Sequence, residues 1–176
     1  MEITLESIKE LREQTSCGVI ECKKALEEAR GDLKKAKEVL QKRGLEIAAK
    51  KGSRMAKEGR IECYIHSGSK IGVMVEVNCE TDFVAQNQDF AKFTKDLAMH
   101  IAAACPQYVR KEDVPESVLR EQKNADDYIK ETCLMEQPFI KDPSKTIQDL
   151  ITALIASIGE NIFVSRFIRY KVNAVE

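Results

Sequence analysis

The apolar residues of this chain change their spacing part-way along, and that change limits the fold more than any other feature. Up to about residue 43 they recur every three or four positions, and from residue 60 to 77 they recur every two. The first spacing lines one side of a helix; the second alternates between the two faces of a strand. Leu5, Ile8 and Leu11 form the first helical stripe behind Thr4 as N-cap, and Thr15 to Gly18 breaks it. Cys22, Ala25, Leu26 and Ala29 form a second stripe, with Gly31 as a left-handed terminator. Asp32 caps a third helix carrying Leu33, Ala36 and Leu40, which Gly44 is expected to end.

Lys50, Lys51, Arg54 and Lys57, interleaved with Ala48, Ala49, Met55 and Ala56, then read as a basic, partly helical linker. In the strand that follows, Ile61, Cys63 and Ile65 are expected to point inward and Arg60, Glu62, Tyr64 and His66 outward. Ser67-Gly68-Ser69 supplies a turn, and Ile71, Val73, Val75 and Val77 form the apolar row of an antiparallel partner. Cys79 to Ala85 leads into a long helix bearing Phe90, Phe93, Leu97 and Ile101, stopped by Pro106. Prolines at 115, 138 and 143 punctuate the next stretch, where one helix is expected, roughly Glu116 to Glu131. Thr146 and Asp149 form a capping box for a helix bearing Ile147, Leu150, Ile151, Leu154 and Ile158, ended by Gly159. Ile162 to Val172 carries apolar groups on both faces, which predicts a strand covered on both sides. The expected class is α+β: an N-terminal three-helix module over 1–45, a basic linker over 46–59, and a core of about three antiparallel strands packed with helices over 60–176.

The 28 basic and 29 acidic residues nearly cancel, so no strong overall field toward nucleic acid or a membrane is expected. The basic run from Lys50 to Arg60 has no interleaved aromatics, and a solvated helix is its plainer reading. No stretch approaches the ~20 apolar residues of a membrane span, and Glu2 to Ser7 lacks a secretory start, so a cytoplasmic protein is expected. The six cysteines, at 17, 22, 63, 79, 105 and 133, contain no Cys-x-x-Cys pair; they read as small core residues, with a reactive thiol among them left open. His66 and His100 lack acid or thiol partners at ligand spacing and read as surface or packing residues. No glycine-rich phosphate loop occurs. No catalytic residue, metal or cofactor is expected.

Two long motifs carry a family likeness. Thr15-Ser16-Cys17-Gly18-Val19-Ile20-Glu21-Cys22-Lys23-Lys24-Ala25-Leu26, continuing to Ala29-Arg30-Gly31-Asp32, resembles the N-terminal module of the elongation factor Ts family. Val75-Glu76-Val77-Asn78-Cys79-Glu80-Thr81-Asp82-Phe83-Val84-Ala85 resembles that family's signature after its core hairpin. Shorter matches at Gln137 to Phe139, Pro143 to Thr146 and Ile158 to Ile162 extend the likeness over nearly the whole chain. The resemblance implies an N-terminal bundle similar to ubiquitin-associated domains and a sheet flanked by helices. It implies a guanine nucleotide exchange factor for elongation factor Tu, not an enzyme of covalent chemistry. Longer members carry two similar half-cores, an inserted helical hairpin and a terminal helix, for which this chain is too short. A single half-core implies a homodimer that forms a two-plus-two complex.

By the same resemblance, Thr81, Asp82, Phe83 and Val84 reach toward the partner's nucleotide site and dislodge its magnesium. Val19 and Ile20 dock on its GTPase domain, with Lys23 and Lys24 at the rim. From spacing alone each segment has a plainer reading: a helix entry with Asp82 as cap and Phe83 in the core, and an amphipathic helix with Val19 and Ile20 buried. Two alternatives remain on the residues alone, an interaction module of ubiquitin-associated type for another partner, and a cysteine-dependent redox or metal protein.

Overall fold

The computed structural model describes residues 3–15 and 17–173 and divides them between two compact units. The first comprises residues 1–55 with 151–161, and the second residues 56–150 with 162–176. Ser16, in the break expected between the first two helices, and the start at Met1 and Glu2 lie outside the described residues.

In the first unit, α1 (Leu5–Thr15), α2 (Val19–Glu28) and α3 (Leu33–Lys51) pack around Ile8, Leu11, Cys22, Ala25, Leu26, Ala29, Ala36 and Leu40. The turn after α2 closes with Gly31 N donating to Leu26 O and Arg30 N to Glu27 O, at 2.8 and 3.1 Å. Arg30 takes φ 52° and Gly31 φ 80°, so the left-handed terminator spans both residues. Asp32 then caps α3 by accepting from Lys35 N. The expected end at Gly44 is corrected, because α3 runs through it to Lys51. A terminating glycine needs positive φ, and Gly44 is a buried helical residue instead. Its missing Cβ would sit 3.5 Å from Thr152 Cγ2 and 3.6 Å from Ala156 Cβ, in the helix α8 (Ile147–Ile158).

In the second unit, β1 (Glu58–Ile65), β2 (Ile71–Cys79) and β5 (Phe163–Lys171) form an antiparallel sheet in the order β1-β2-β5. The Val73, Val75 and Val77 row of β2 is buried on the side of α5 (Gln88–Ala104), with Phe90, Leu97 and Ile101 among its core residues. Opposite those valines on β1 stand Tyr64, Glu62 and Arg60. The inward face of β1 is therefore the reverse of the one expected, and Ile61, Cys63 and Ile65 point away from α5 and are exposed. Alternation divides a strand into two faces, but the register with β2 decides which one the helix covers.

The last strand is likewise not covered on both sides. Glu76 pairs with Arg166 but Val77 with Val164, so Ser165 is an extra residue that bulges the edge strand β5. The bulge puts Val164 and Phe167 on the valine side, while Ile168 and Tyr170 face away and are exposed.

The single helix expected over Glu116 to Glu131 is two, α6 (Glu116–Glu121) and α7 (Ala125–Thr132). Gln122 is extended, and Asn124 starts the second helix by accepting from Asp126 N and Asp127 N. A short hairpin of β3 (Pro138–Phe139) and β4 (Asp142–Thr146) follows. The Thr146–Asp149 capping box is present in both directions, and Gly159, at φ 85°, closes α8. A four-residue helix, α4 (Asp82–Ala85), links β2 to α5.

His100 of α5 is fully buried, and its Nδ1 accepts from Ile140 N at 3.4 Å. Its Nε2 therefore carries the proton and donates to Gln137 Oε1 at 3.1 Å. Gln137 Nε2 in turn donates to Glu131 O and Ala104 O. Burial holds the imidazole pKa below its ordinary value, with the Gln137 bond opposing weakly.

The space beside Gly44 accepts a methyl group, so Gly44→Ala is expected to raise stability by about 0.5–1 kcal/mol in urea unfolding. A Cβ at Gly59 would instead lie 2.9 Å from Asn78 Cα and closer still to the Val77 carbonyl, so Gly59→Ala should lower stability. For His100, the unfolded chain takes up a proton first as pH falls. Its stabilising contribution is complete above ~6.5 and declines below it by up to about 1.4 kcal/mol per pH unit. Unfolding measured from pH 7 to 5 should show that slope, and His100→Gln should flatten it.

Candidate functional site: three docking features

The turn after the hairpin is built by a cap. Thr81, extended at φ −128°, accepts from Val84 N on its Oγ1 at 3.4 Å and starts α4. The Cys79 thiol, buried at the end of β2, donates to Thr81 O at 3.1 Å and ties the turn to the strand. Thr81 rather than Asp82 is thus the cap, and the buried aromatic at the start of the long helix is its own Phe90, not Phe83. Phe83 is 85% exposed, Asp82 is exposed beside it, and Val84 is half-buried. A phenyl ring standing in water on a capped turn gains about 1.5–3 kcal/mol when a partner buries it.

In the first unit, Gly18 is the extended N-cap of α2, and Val19 and Ile20 form its first turn. The core is filled by Cys22, Ala25, Leu26 and Ala29, which leaves Ile20 69% exposed and Val19 exposed beside it. Lys23 and Lys24 are exposed on the next turn, near Glu27 at 3.9 Å and Glu21 at 3.4 Å. Arg43 of α3 forks to Glu28 at 2.7 Å and Glu21 at 3.4 Å, fixing α2 by its charged edge.

For the third feature, a three-stranded sheet implied an exposed edge or face, but the sequence did not single out its residues. The sheet face turned away from α5 carries Ile61, Cys63, Ile65, Met74, Ile168 and Tyr170, and the pairing registers put them on one side. Ile65 is 64% and Tyr170 68% exposed, with Gly72 between them across the strands. At one end Arg166 Nε donates to Glu76 Oε2 at 2.8 Å. The available signal was that β1 and β5 both carry apolar groups where solvent-facing residues would stand. An apolar sheet face of this kind marks a binding surface.

Among the described residues, no three His, Cys, Asp or Glu side chains gather as metal ligands. No described helix is long and apolar enough to cross a membrane. What the described residues present is outward apolar side chains at two helix starts and on one sheet face, the kind of surface that suits a protein partner.

Comparison with known proteins supplies the particular family. The family model described as Elongation factor TS matches residues 5–127 and 124–174. The chain is 50% identical to elongation factor Ts of Alkaliphilus oremlandii, covering 98% of this chain and 90% of that protein. It is 48% identical to elongation factor Ts of Carboxydothermus hydrogenoformans, over 97% of this chain and 89% of that one. Elongation factor Ts of Thermodesulfovibrio yellowstonii is 47% identical over 100% of this chain and 99% of its own length. The chain belongs to the elongation factor Ts family and is a factor of translation elongation.

Proposed function

We propose that this chain is a guanine nucleotide exchange factor for elongation factor Tu, acting in the cytoplasm by binding the GDP-bound form and promoting GDP release. The observation that carries the reading is the exposed Phe83 on its capped turn. An exchange factor makes no covalent bond with its partner; it favours the partner's nucleotide-free state over its GDP-bound state. The coupling is reciprocal, so GDP weakens the factor's binding by the same ratio. A coupling of ~3 kcal/mol lowers GDP affinity by about two orders of magnitude.

Within that reading, Phe83 is the wedge. Inserted between partner side chains, a rigid ring shifts a packed element from one arrangement to another. Asp82 brings a carboxylate toward the magnesium hydration shell and disturbs the contacts that hold the ion. Thr81 and Val84 set the turn that aims both. Val19 and Ile20 dock on the GTPase domain with Lys23 and Lys24 at the rim, and the energy of that contact helps hold the wedge in place. The packing of α1, α2 and α3 is read as similar to ubiquitin-associated domains. A family match spanning both units favours this function over a free-standing module of that type.

The open sheet face is assigned to a second copy of this chain, giving a two-plus-two complex with the partner. A two-fold pairing sets its apolar centre against the same centre of the copy, and the Glu76–Arg166 pair neutralises its charged end. Two such faces stacked at about 10 Å would exclude water from both.

Mixed with elongation factor Tu carrying fluorescent GDP, the chain is expected to release the nucleotide fast. Phe83→Ala should slow release about tenfold and Asp82→Ala less, as read by stopped flow. Undiminished release by the double variant would remove Thr81 to Val84 from the mechanism. For the dimer, sedimentation should give twice the chain mass, and Ile65→Lys with Met74→Lys should give a folded monomer. A doubly substituted chain that still sediments as a dimer would place the contact elsewhere.

A further inference from the structure

Cys17 and Cys22 occupy the two positions that bracket the first turn of α2. With Gly18 as N-cap, Cys17 precedes the cap and Cys22 is the fourth helical residue. Side chains at those two positions pack together across a helix start, usually as an apolar pair. Here both are thiols. Cys22 Sγ donates to Cys17 O at 3.7 Å, and Cys17 Sγ donates to Thr15 O at 3.7 Å. Thr15 Oγ1 lies 3.9 Å from Cys22 Sγ, and Cys17 packs on the core cluster that contains Cys22. A disulfide needs the two Cβ atoms about 3.5–4.5 Å apart; closing this pair brings the Cys22 sulfur, 3.7 Å from the Cys17 carbonyl, onto the Cys17 side chain.

Their exposure differs. Cys17 is half-exposed, whereas Cys22 is buried, and that burial raises its thiol pKa while the Thr15 hydroxyl opposes the rise. Cys17 is therefore the sulfur that a solvent oxidant meets first, with Cys22 held behind it.

We propose that Cys17 and Cys22 form a reversible intramolecular disulfide when the chain meets a peroxide, a covalent clamp across the first turn of α2. The Cys17 thiolate attacks one peroxide oxygen, the O–O bond breaks, and hydroxide leaves to become water, giving a sulfenic acid. Cys22 sulfur then attacks Cys17 sulfur; the S–O bond breaks, and the departing hydroxide takes the Cys22 proton as a second water. Two thiols and one hydrogen peroxide give one disulfide and two waters; sulfur loses two electrons and oxygen gains them. Proximity within one turn makes the second step effectively unimolecular, which offsets the weak nucleophilicity of a buried thiol. The clamp closes over the turn that presents Val19 and Ile20, and it removes the two sulfhydryl donors to the loop carbonyls.

The test uses the full, reduced chain treated with one equivalent of hydrogen peroxide, then alkylated and digested with trypsin. Cleavage after Arg12 and Lys23 leaves both cysteines in one peptide, Glu13 to Lys23. The disulfide reads as a loss of two mass units without alkylation, restored by dithiothreitol and formed at a rate independent of protein concentration. Formation should be about tenfold faster in the native chain than in urea, because the fold holds the Cys22 sulfur against the Cys17 carbonyl. With Cys22→Ser, Cys17 should accumulate as a sulfenic acid trapped by dimedone. Oxidation at Cys63 or Cys105 with both thiols of this peptide still free, linkage between chains through Cys17, or an equal rate in urea would overturn the proposal.

Discussion

The structure of the second unit depends on how the central strand β2 is covered. Its Val73, Val75 and Val77 row is buried on the α5 side, while on the opposite side Met74 is exposed and Glu76 pairs with Arg166 of β5. Because side chains alternate with a period of two, sealing one row against a helix dictates which face every neighbour presents. Ile61, Cys63 and Ile65 are turned outward by pairing with β2, and Ile168 and Tyr170 follow from the other edge. The same burial fixes Cys79 at the end of β2, where its thiol holds the Thr81 carbonyl and the capped turn begins. The direction of Phe83 is therefore inherited from the valine row.

This arrangement suits work on a partner protein. Removing a tightly bound nucleotide requires differential binding, and flexible contacts supply little of it because ordering them costs entropy. A ring on a one-turn helix, capped at Thr81 and joined to a buried strand end, arrives already ordered. The first turn of α2 is prepared in a similar way, with Arg43 holding the charged edge and the bundle core beneath it. Under the proposed function, docking energy gathered at Val19 and Ile20 is spent at Asp82 and Phe83.

Much of the fold was legible in the sequence because local chemistry decided it. The stripes of α1 and α2, the Asp32 cap, the hairpin and the Thr146–Asp149 box all rest on short stretches of contiguous sequence. What failed was set at longer range. Gly44 looks like a terminator until Thr152 and Ala156 are placed against it. The covered face of β1 depends on α5, and the Ser165 bulge depends on pairing with β2. The break at Gln122 carries neither Gly nor Pro to announce it. For the site, an aromatic one residue past a helix start is equally suited to core and surface, so spacing favoured the wrong reading of Phe83. The family motif pointed outward, and the exposure of the ring agrees with it.

The central claim is that Phe83 enters elongation factor Tu beside its nucleotide site. The most direct measurement replaces Phe83 with the photoreactive analogue p-benzoylphenylalanine, irradiates the nucleotide-free complex, and maps the adduct by mass spectrometry. The account predicts covalent attachment to partner residues next to the magnesium and phosphate loops, lost when excess GDP and magnesium are added. Attachment confined to this chain, or to partner surfaces remote from the nucleotide, would contradict it.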